Sequence, residues 1–189
     1  AEWRAGAAKG AANAVFVAIG TGVGGGLVLQ GSPFRGATGL AGEIGHMSVD
    51  LDGPPCPCGN RGCLEMFLGR GAIKALALAA DLPAGDAASP ARMSVLAEAG
   101  EPRAIAVYET IGRRLGHAMA GIVNLLEPEV IVVGGGVAAA GRFLLEPAER
   151  ELHERSMVAR RCQLPIRGAQ FGPRAGIVGA ALHAAGTRI

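Results

Sequence analysis

The spacing of apolar positions changes along this chain, and the change predicts a mixed α/β fold. Ala14 to Ile19 (AVFVAI) is a short apolar run rich in β-branched residues, which predicts a buried strand. Leu27 to Leu29 predicts a second strand, and the glycine-rich run GTGVGGG at 20–26 lies between the two. Strand, glycine turn and strand make a hairpin rather than a strand-to-helix unit. From Pro102 to Leu126 the spacing becomes helical, with Ile105, Tyr108, Ile111, Leu115, Met119 and Ile122 on one face and Pro128 just beyond the end. Glu129 to Val133 predicts another buried strand, closed by three glycines at 134–136. Helices are predicted over 69–80, 143–155 and 175–185, a strand over 163–171, an irregular segment over 31–65 and a surface loop over 81–93. Strands alternating with helices define the α/β class. The opening AEWRAGAAKGAAN has helix-forming residues without an N-cap and reads as the tail of a helix.

Composition narrows the class further. The chain has 189 residues, half of them hydrophobic, with 31 glycines and only 4% aromatics, which suits small-residue packing and glycine-built ligand loops. A net charge of +2 gives no argument for a nucleic-acid or membrane surface. No apolar run reaches transmembrane length. Of the four cysteines, three are clustered at metal-ligand spacing and Cys162 stands alone as a small apolar residue of core or strand. Reduced thiols and a cytoplasmic location are expected.

The cluster is the most specific chemical signal. His46, Cys56, Cys58 and Cys63 fall within eighteen residues, in GEIGHMSVDLDGPPCPCGNRGCLE. Cys₃His is a closed tetrahedral zinc set, so a structural rather than catalytic ion is expected, fixing a loop with too few apolar residues to fold by burial. Glu43 and Glu65 flank these ligands. Two carboxylates and an imidazole are suited to sugar hydroxyls, which both donate and accept, or the two acids can simply be solvated or support the metal ligands. A zinc-bound imidazole can offer its second nitrogen to such a ligand, coupling metal to substrate. Loss of zinc is therefore expected to weaken sugar binding.

Two glycine-rich turns complete the candidates. Gly20, Thr21, Gly22 and Gly24 can bring backbone N–H groups and a hydroxyl close to a phosphate, or can simply turn a hairpin. No Gly-Lys-Ser/Thr follows, which excludes a Walker loop. The G-x-G-x-x-G match at 20–25 lacks the helix a Rossmann unit needs. Gly134, Gly135 and Gly136 permit close approach of a ligand at a strand's carboxyl end, or a plain strand-to-helix turn.

Taken in order, GTGVGGG at 20–26, GEIGH at 42–46, CPCGNRGCLE at 56–65 and VIVVGGGV at 130–137 resemble the ROK family of bacterial sugar kinases and sugar-responsive repressors. The resemblance implies an actin/hexokinase-like (ribonuclease H-like) fold of two α/β lobes with ATP and sugar between them. Residues 1–189 would form the second lobe, with a zinc knuckle at 43–65. It further implies that Glu43, His46 and Glu65 contact the sugar, that Gly20, Thr21, Gly22 and Gly24 lie near the phosphates, and that Gly134, Gly135 and Gly136 lie against the nucleoside. ATP with Mg²⁺ would be co-substrate, zinc the structural ion, and a homodimer the assembly. The family's first phosphate loop and its catalytic aspartate, expected shortly before Ala1-Glu2-Trp3-Arg4, are not within these residues. The expectation is a glucokinase-like ATP:hexose 6-phosphotransferase in the complete protein, with residues 1–189 inactive alone. The alternative is the sugar-sensing part of a repressor, which alone would bring nucleic acid into play.

Overall fold

The computed structural model of the chain describes residues 1–87 and 89–185, with the side chains of Pro173 and His183 outside the description. The chain opens with α1 (Glu2–Ala5), then β1 (Ala14–Ile19), β2 (Val23–Leu29) and β3 (Ser32–Phe34). A long irregular segment follows, containing a 3₁₀ turn at Ile44–His46. Next come α2 (Glu65–Leu68), α3 (Arg70–Ala79), α4 (Ala84–Ala87), α5 (Pro90–Glu98) and α6 (Pro102–Leu126). The remainder is β4 (Val130–Gly134), a 3₁₀ turn at Gly136–Ala140, α7 (Arg142–Arg155), α8 (Met157–Cys162), β5 (Ile166–Gly168) and α9 (Ala175–Ala184).

The strands form one mixed sheet in the order β3-β2-β1-β4-β5. β1 pairs antiparallel with β2, while β4 lies parallel to β1 on its other side and β5 parallel to β4. Ala18 stands opposite Gly134, so the two central strands end side by side at their carboxyl ends. That edge is where an open α/β sheet presents ligand-binding loops.

The two sheet faces are covered unequally. Val15, Val17, Ile19, Ile131 and Val133 point into the main core, where they meet Ile111, Leu115, Met119, Leu144 and Leu152 of α6 and α7. The other face carries a small cluster of Ala14, Val28, Val130 and Val132 under Trp3 and Ala8. Glu2, itself buried, fastens that cover. Its carboxylate accepts backbone N–H bonds from Ala7 (3.0 Å), Gln170 (3.1 Å) and Phe171 (2.8 Å). Arg167 Nη1 adds a bond to the Ala7 carbonyl at 3.0 Å.

Several boundaries differ from the sequence expectation. β2 begins at Val23 rather than Leu27, because Gly24, Gly25 and Gly26 pair with Ala18, Val17 and Phe16 as ordinary ladder residues. The segment expected to be a loop over 81–93 holds α4 and the start of α5, whose first turn is capped by the Ser89 hydroxyl accepting from Arg92 N. The strand expected over 163–171 shrinks to Ile166–Gly168, because Gln163 takes a left-handed conformation that ends α8. Cys162 closes α8 and is exposed, not a core or strand residue. Among the described residues no helix is long and apolar enough to cross a membrane.

Candidate functional site

The site is assembled at the carboxyl end of the sheet from two glycine turns and the cysteine knuckle. The turn between β1 and β2 is closed by Gly20 N donating to the Gly22 carbonyl at 2.8 Å. It abuts the end of β4, where Gly135 has φ +85° and lies so near Ile19 that a β-carbon there would sit 2.2 Å from the Ile19 carbonyl oxygen. Only glycine meets both demands. The two turns, at 20–22 and 134–136, are thus direct neighbours.

The glycines of the β1–β2 hairpin divide by what surrounds them. Gly20 and Gly24 face open space, as does Gly136 beyond β4. Gly22 and Gly25 face protein: a β-carbon at Gly22 would meet Glu65 Oε2 at 2.2 Å, and one at Gly25 would meet the Gly42 carbonyl at 2.4 Å. The run GTGVGGG therefore serves two purposes. Some of its glycines border open space, and others let the knuckle segment seat on β2. Thr21 is exposed at the tip.

The knuckle is closed by backbone hydrogen bonds around the buried Cys56, Cys63 and Leu64. Val49 N bonds to Gly62 O (2.9 Å), Cys56 N to Asn60 O (2.8 Å), Gly62 N to Pro54 O (2.8 Å) and Leu64 N to Met47 O (2.9 Å). Gly62 has φ +65° and a β-carbon there would lie 1.7 Å from the Asp50 carbonyl, so no other residue fits. Arg61 Nη1 closes the loop on the Gly53 carbonyl at 2.9 Å. The result brings His46, Cys56, Cys58 and Cys63 together, with all four ligand atoms within 4.8 Å of one another.

This donor set fits zinc. Zinc with bonds of about 2.3 Å to sulfur holds tetrahedral sulfurs about 3.8 Å apart. Here Cys58 Sγ lies 3.7 Å from Cys63 Sγ, and Cys56 Sγ lies 3.7 Å from His46 Nδ1. Burial pushes the Cys63 thiol up to about 12, reinforced by its neighbours Cys56 and Cys58. The Asn60 backbone N–H, with help from Cys56, draws the Cys58 thiol below its ordinary value. A buried thiol crowded by two others becomes a thiolate only beside a cation, which a divalent ion would supply. His46 turns Nδ1 toward the sulfurs, leaving Nε2 for another partner.

The two acids behave differently. Glu43 is exposed just before the 3₁₀ turn, and its carbonyl accepts from His46 N at 3.0 Å. Glu65 is half-buried at the start of α2, and its Oε2 accepts from Val23 N at 2.9 Å. The corner between α2 and α3 adds a second hold on the hairpin turn, with Arg70 N bonding to Gly20 O (3.0 Å) and Thr21 O (3.3 Å). Sequence reasoning missed these two contacts, because no local pattern ties positions 65 and 70 to positions 20–23.

A cavity of about 620 Å³ opens over the thinly covered sheet face, lined by Trp3, Phe16, Leu27, Val132, Gly134 and Gly135. It reaches the second glycine turn but contains none of Glu43, His46 and Glu65. His117 lies away from this edge, in a separate pocket with Arg113, Arg114, Glu151 and Arg155.

A mixed α/β sheet with two adjoining glycine turns and a Cys₃His knuckle at one edge has the α/β architecture of the actin-like type. The chain belongs to the ROK family, whose model matches residues 1–186. It is 36% identical to a glucokinase of Halalkalibacterium halodurans, across 94% of this chain and 57% of that protein. It resembles the crystal structure of a ROK family glucokinase from Streptomyces griseus in complex with glucose and AMPPNP, with a TM-score of 0.84 and 30% identity over 95% of this chain and 62% of that one. It is also 32% identical to the DNA-binding transcriptional dual regulator NagC of Escherichia coli, over 94% of this chain and 45% of the regulator. The chain thus spans less than two thirds of the length of each.

Proposed function

We propose that residues 1–189 are the second lobe of an ATP-dependent hexose kinase of glucokinase type, acting in the cytoplasm and transferring the γ-phosphoryl group to the sugar 6-hydroxyl. The observation that carries this reading is the contact between Glu65 Oε2 and Val23 N at 2.9 Å, which joins an acid–imidazole set to a phosphate-type glycine turn. A kinase needs those two functions within reach of one transferred group. The kinase relatives support the reading.

In this reading Glu43, His46 Nε2 and Glu65 Oε1 receive sugar hydroxyls. The Thr21 and Gly22 backbone N–H groups at the tip of the turn and the Thr21 hydroxyl hold phosphate oxygens of ATP·Mg²⁺, Gly20 and Gly24 leave the approach clear, and Gly134, Gly135 and Gly136 lie under the nucleoside. Catalysis is positioning and charge stabilisation, as in phosphoryl transfer generally. The base that takes the hydroxyl proton comes from outside residues 1–189, so these residues alone turn over no sugar. His46, Cys56, Cys58 and Cys63 would hold zinc, which would cross-link the segment leading into Glu65. A homodimer is the proposed assembly.

The regulator relative favours a second reading, a sugar-sensing lobe of a transcriptional repressor. The test is ADP release by the complete protein with ATP·Mg²⁺ and a panel of hexoses. Sugar-dependent ADP release supports the kinase. Binding of sugar without ADP release, together with retention of specific DNA, supports the repressor and rejects the kinase.

A further inference from the structure

Glu65 stands at the junction of the two halves of the site. It begins α2, two residues after Cys63, and reaches across 42 positions of sequence to the hairpin. Its Oε2 is committed to Val23 N, and Gly22 beside it has no room for a β-carbon. Oε1 takes no hydrogen bond among the described residues. The same corner holds the hairpin from its other side through Arg70 N, and a β-carbon at Gly69 would come within 3.1 Å of the Thr21 carbonyl. The turn at 20–23 is thus seated on one helical corner, and the orientation of a single carboxylate group sets one of its anchors.

We propose that Glu65 is a positioning residue for the phosphate turn as well as a receptor for sugar, and that it couples the two subsites. This rests on the sugar and nucleotide roles proposed above. A sugar hydroxyl donating to Oε1 restricts rotation of the Glu65 side chain and so steadies Oε2 against Val23 N. The turn is then ordered before phosphate arrives, and the nucleotide no longer bears that ordering. Coupling of this kind is reciprocal, so nucleotide tightens sugar by the factor with which sugar tightens nucleotide.

The test uses calorimetry on the complete protein, with glucose and with AMPPNP·Mg²⁺. In the unaltered protein, saturating glucose should tighten AMPPNP by about fivefold or more. Glu65→Gln keeps an oxygen that can accept from Val23 N. It should weaken glucose yet leave sugar-free AMPPNP affinity within about twofold. Glu65→Ala removes the anchor and should weaken sugar-free AMPPNP by about tenfold. Gly22→Ala pushes against Oε2 and should weaken glucose measured with no nucleotide present, an effect that a purely phosphate-binding glycine would not have. Melting curves check that each variant is folded. If the unaltered protein binds glucose, nucleotide affinity unchanged in Glu65→Ala, or glucose affinity unchanged in Gly22→Ala, overturns the coupling alone. If the unaltered protein binds no hexose, the sugar reading falls and the coupling with it.

Discussion

Gly116 of α6 packs so tightly on α7 that a β-carbon at its position would lie 2.2 Å from the Ala148 carbonyl oxygen. One turn earlier, Gly112 meets the Leu144 carbonyl at 2.5 Å in the same sense. The two helices therefore touch backbone to backbone, and this contact carries the core beneath the site. Gly121, on the exposed side of α6, faces open space. The same substitution should have opposite signs at the two places. Gly121→Ala should stabilise the fold by about 0.5–1 kcal/mol through helix propensity. Gly116→Ala gains the same propensity but forces the helices apart, and should destabilise by about 1–3 kcal/mol net. Urea unfolding of both variants measures the difference.

Glu2 is the fastening of the second sheet face. Removing its carboxylate leaves the N–H groups of Ala7, Gln170 and Phe171 without their acceptor. Glu2→Ala should destabilise by about 1–3 kcal/mol, because the Ala7 donor is buried and the other two bonds are partly buried. Hydrogen exchange should rise at Ala7, Gln170 and Phe171 in the variant before it rises in α6. Uniform protection would show that the clamp is dispensable.

Glu151 makes the fold sensitive to acid. Burial by itself would raise its carboxyl, but hydrogen bonds from Arg113 and Arg155 outweigh burial and hold it below its ordinary value of 4.5. A group whose folded value is depressed contributes stability above its unfolded value and loses it as pH falls through the folded one. Melting temperature should therefore drop as pH falls below about 4.5, and less steeply in Glu151→Gln. Equal slopes would remove Glu151 from the acid response. Both arginine partners are half-exposed, so salt should reduce the effect.

Metal removal reaches further than the spacing of the cysteines predicts. From spacing alone, zinc loss is expected to weaken sugar only. The bond from Val23 N to Glu65 connects the knuckle to the 20–23 turn, so Cys58→Ser should loosen both. The variant should lose zinc by elemental analysis, become open to proteolysis within 53–65, and bind both glucose and AMPPNP more weakly. Loss of glucose affinity alone would restore the narrower expectation.

How much could be read beforehand depended on how local the signal was. β1 (AVFVAI) and α6 were legible because their apolar spacing matches strand and helix periods, and Tyr108, Ile111, Leu115, Met119 and Ile122 are indeed buried. β2 was half hidden, since Gly24, Gly25 and Gly26 carry no strand propensity and pair only because β1 and the 42–45 segment accept them. The start of α5 had a readable Ser-Pro cap at 89–90, masked by the small, polar composition around it. The gathering of His46, Cys56, Cys58 and Cys63 was legible from spacing, since the loop is short enough for chain length alone to bring them close. The hold of Glu65 and Arg70 on the hairpin was not, because it is made by tertiary folding across more than forty residues.

The central claim is phosphoryl transfer to a hexose hydroxyl. It is tested most directly by following ¹³C-labelled glucose and ATP·Mg²⁺ by NMR with the complete protein, beside residues 1–189 alone. The account predicts glucose 6-phosphate with the complete protein and none with residues 1–189. Persistence of unmodified hexose and ATP in the presence of the complete, folded and glucose-bound protein would contradict it.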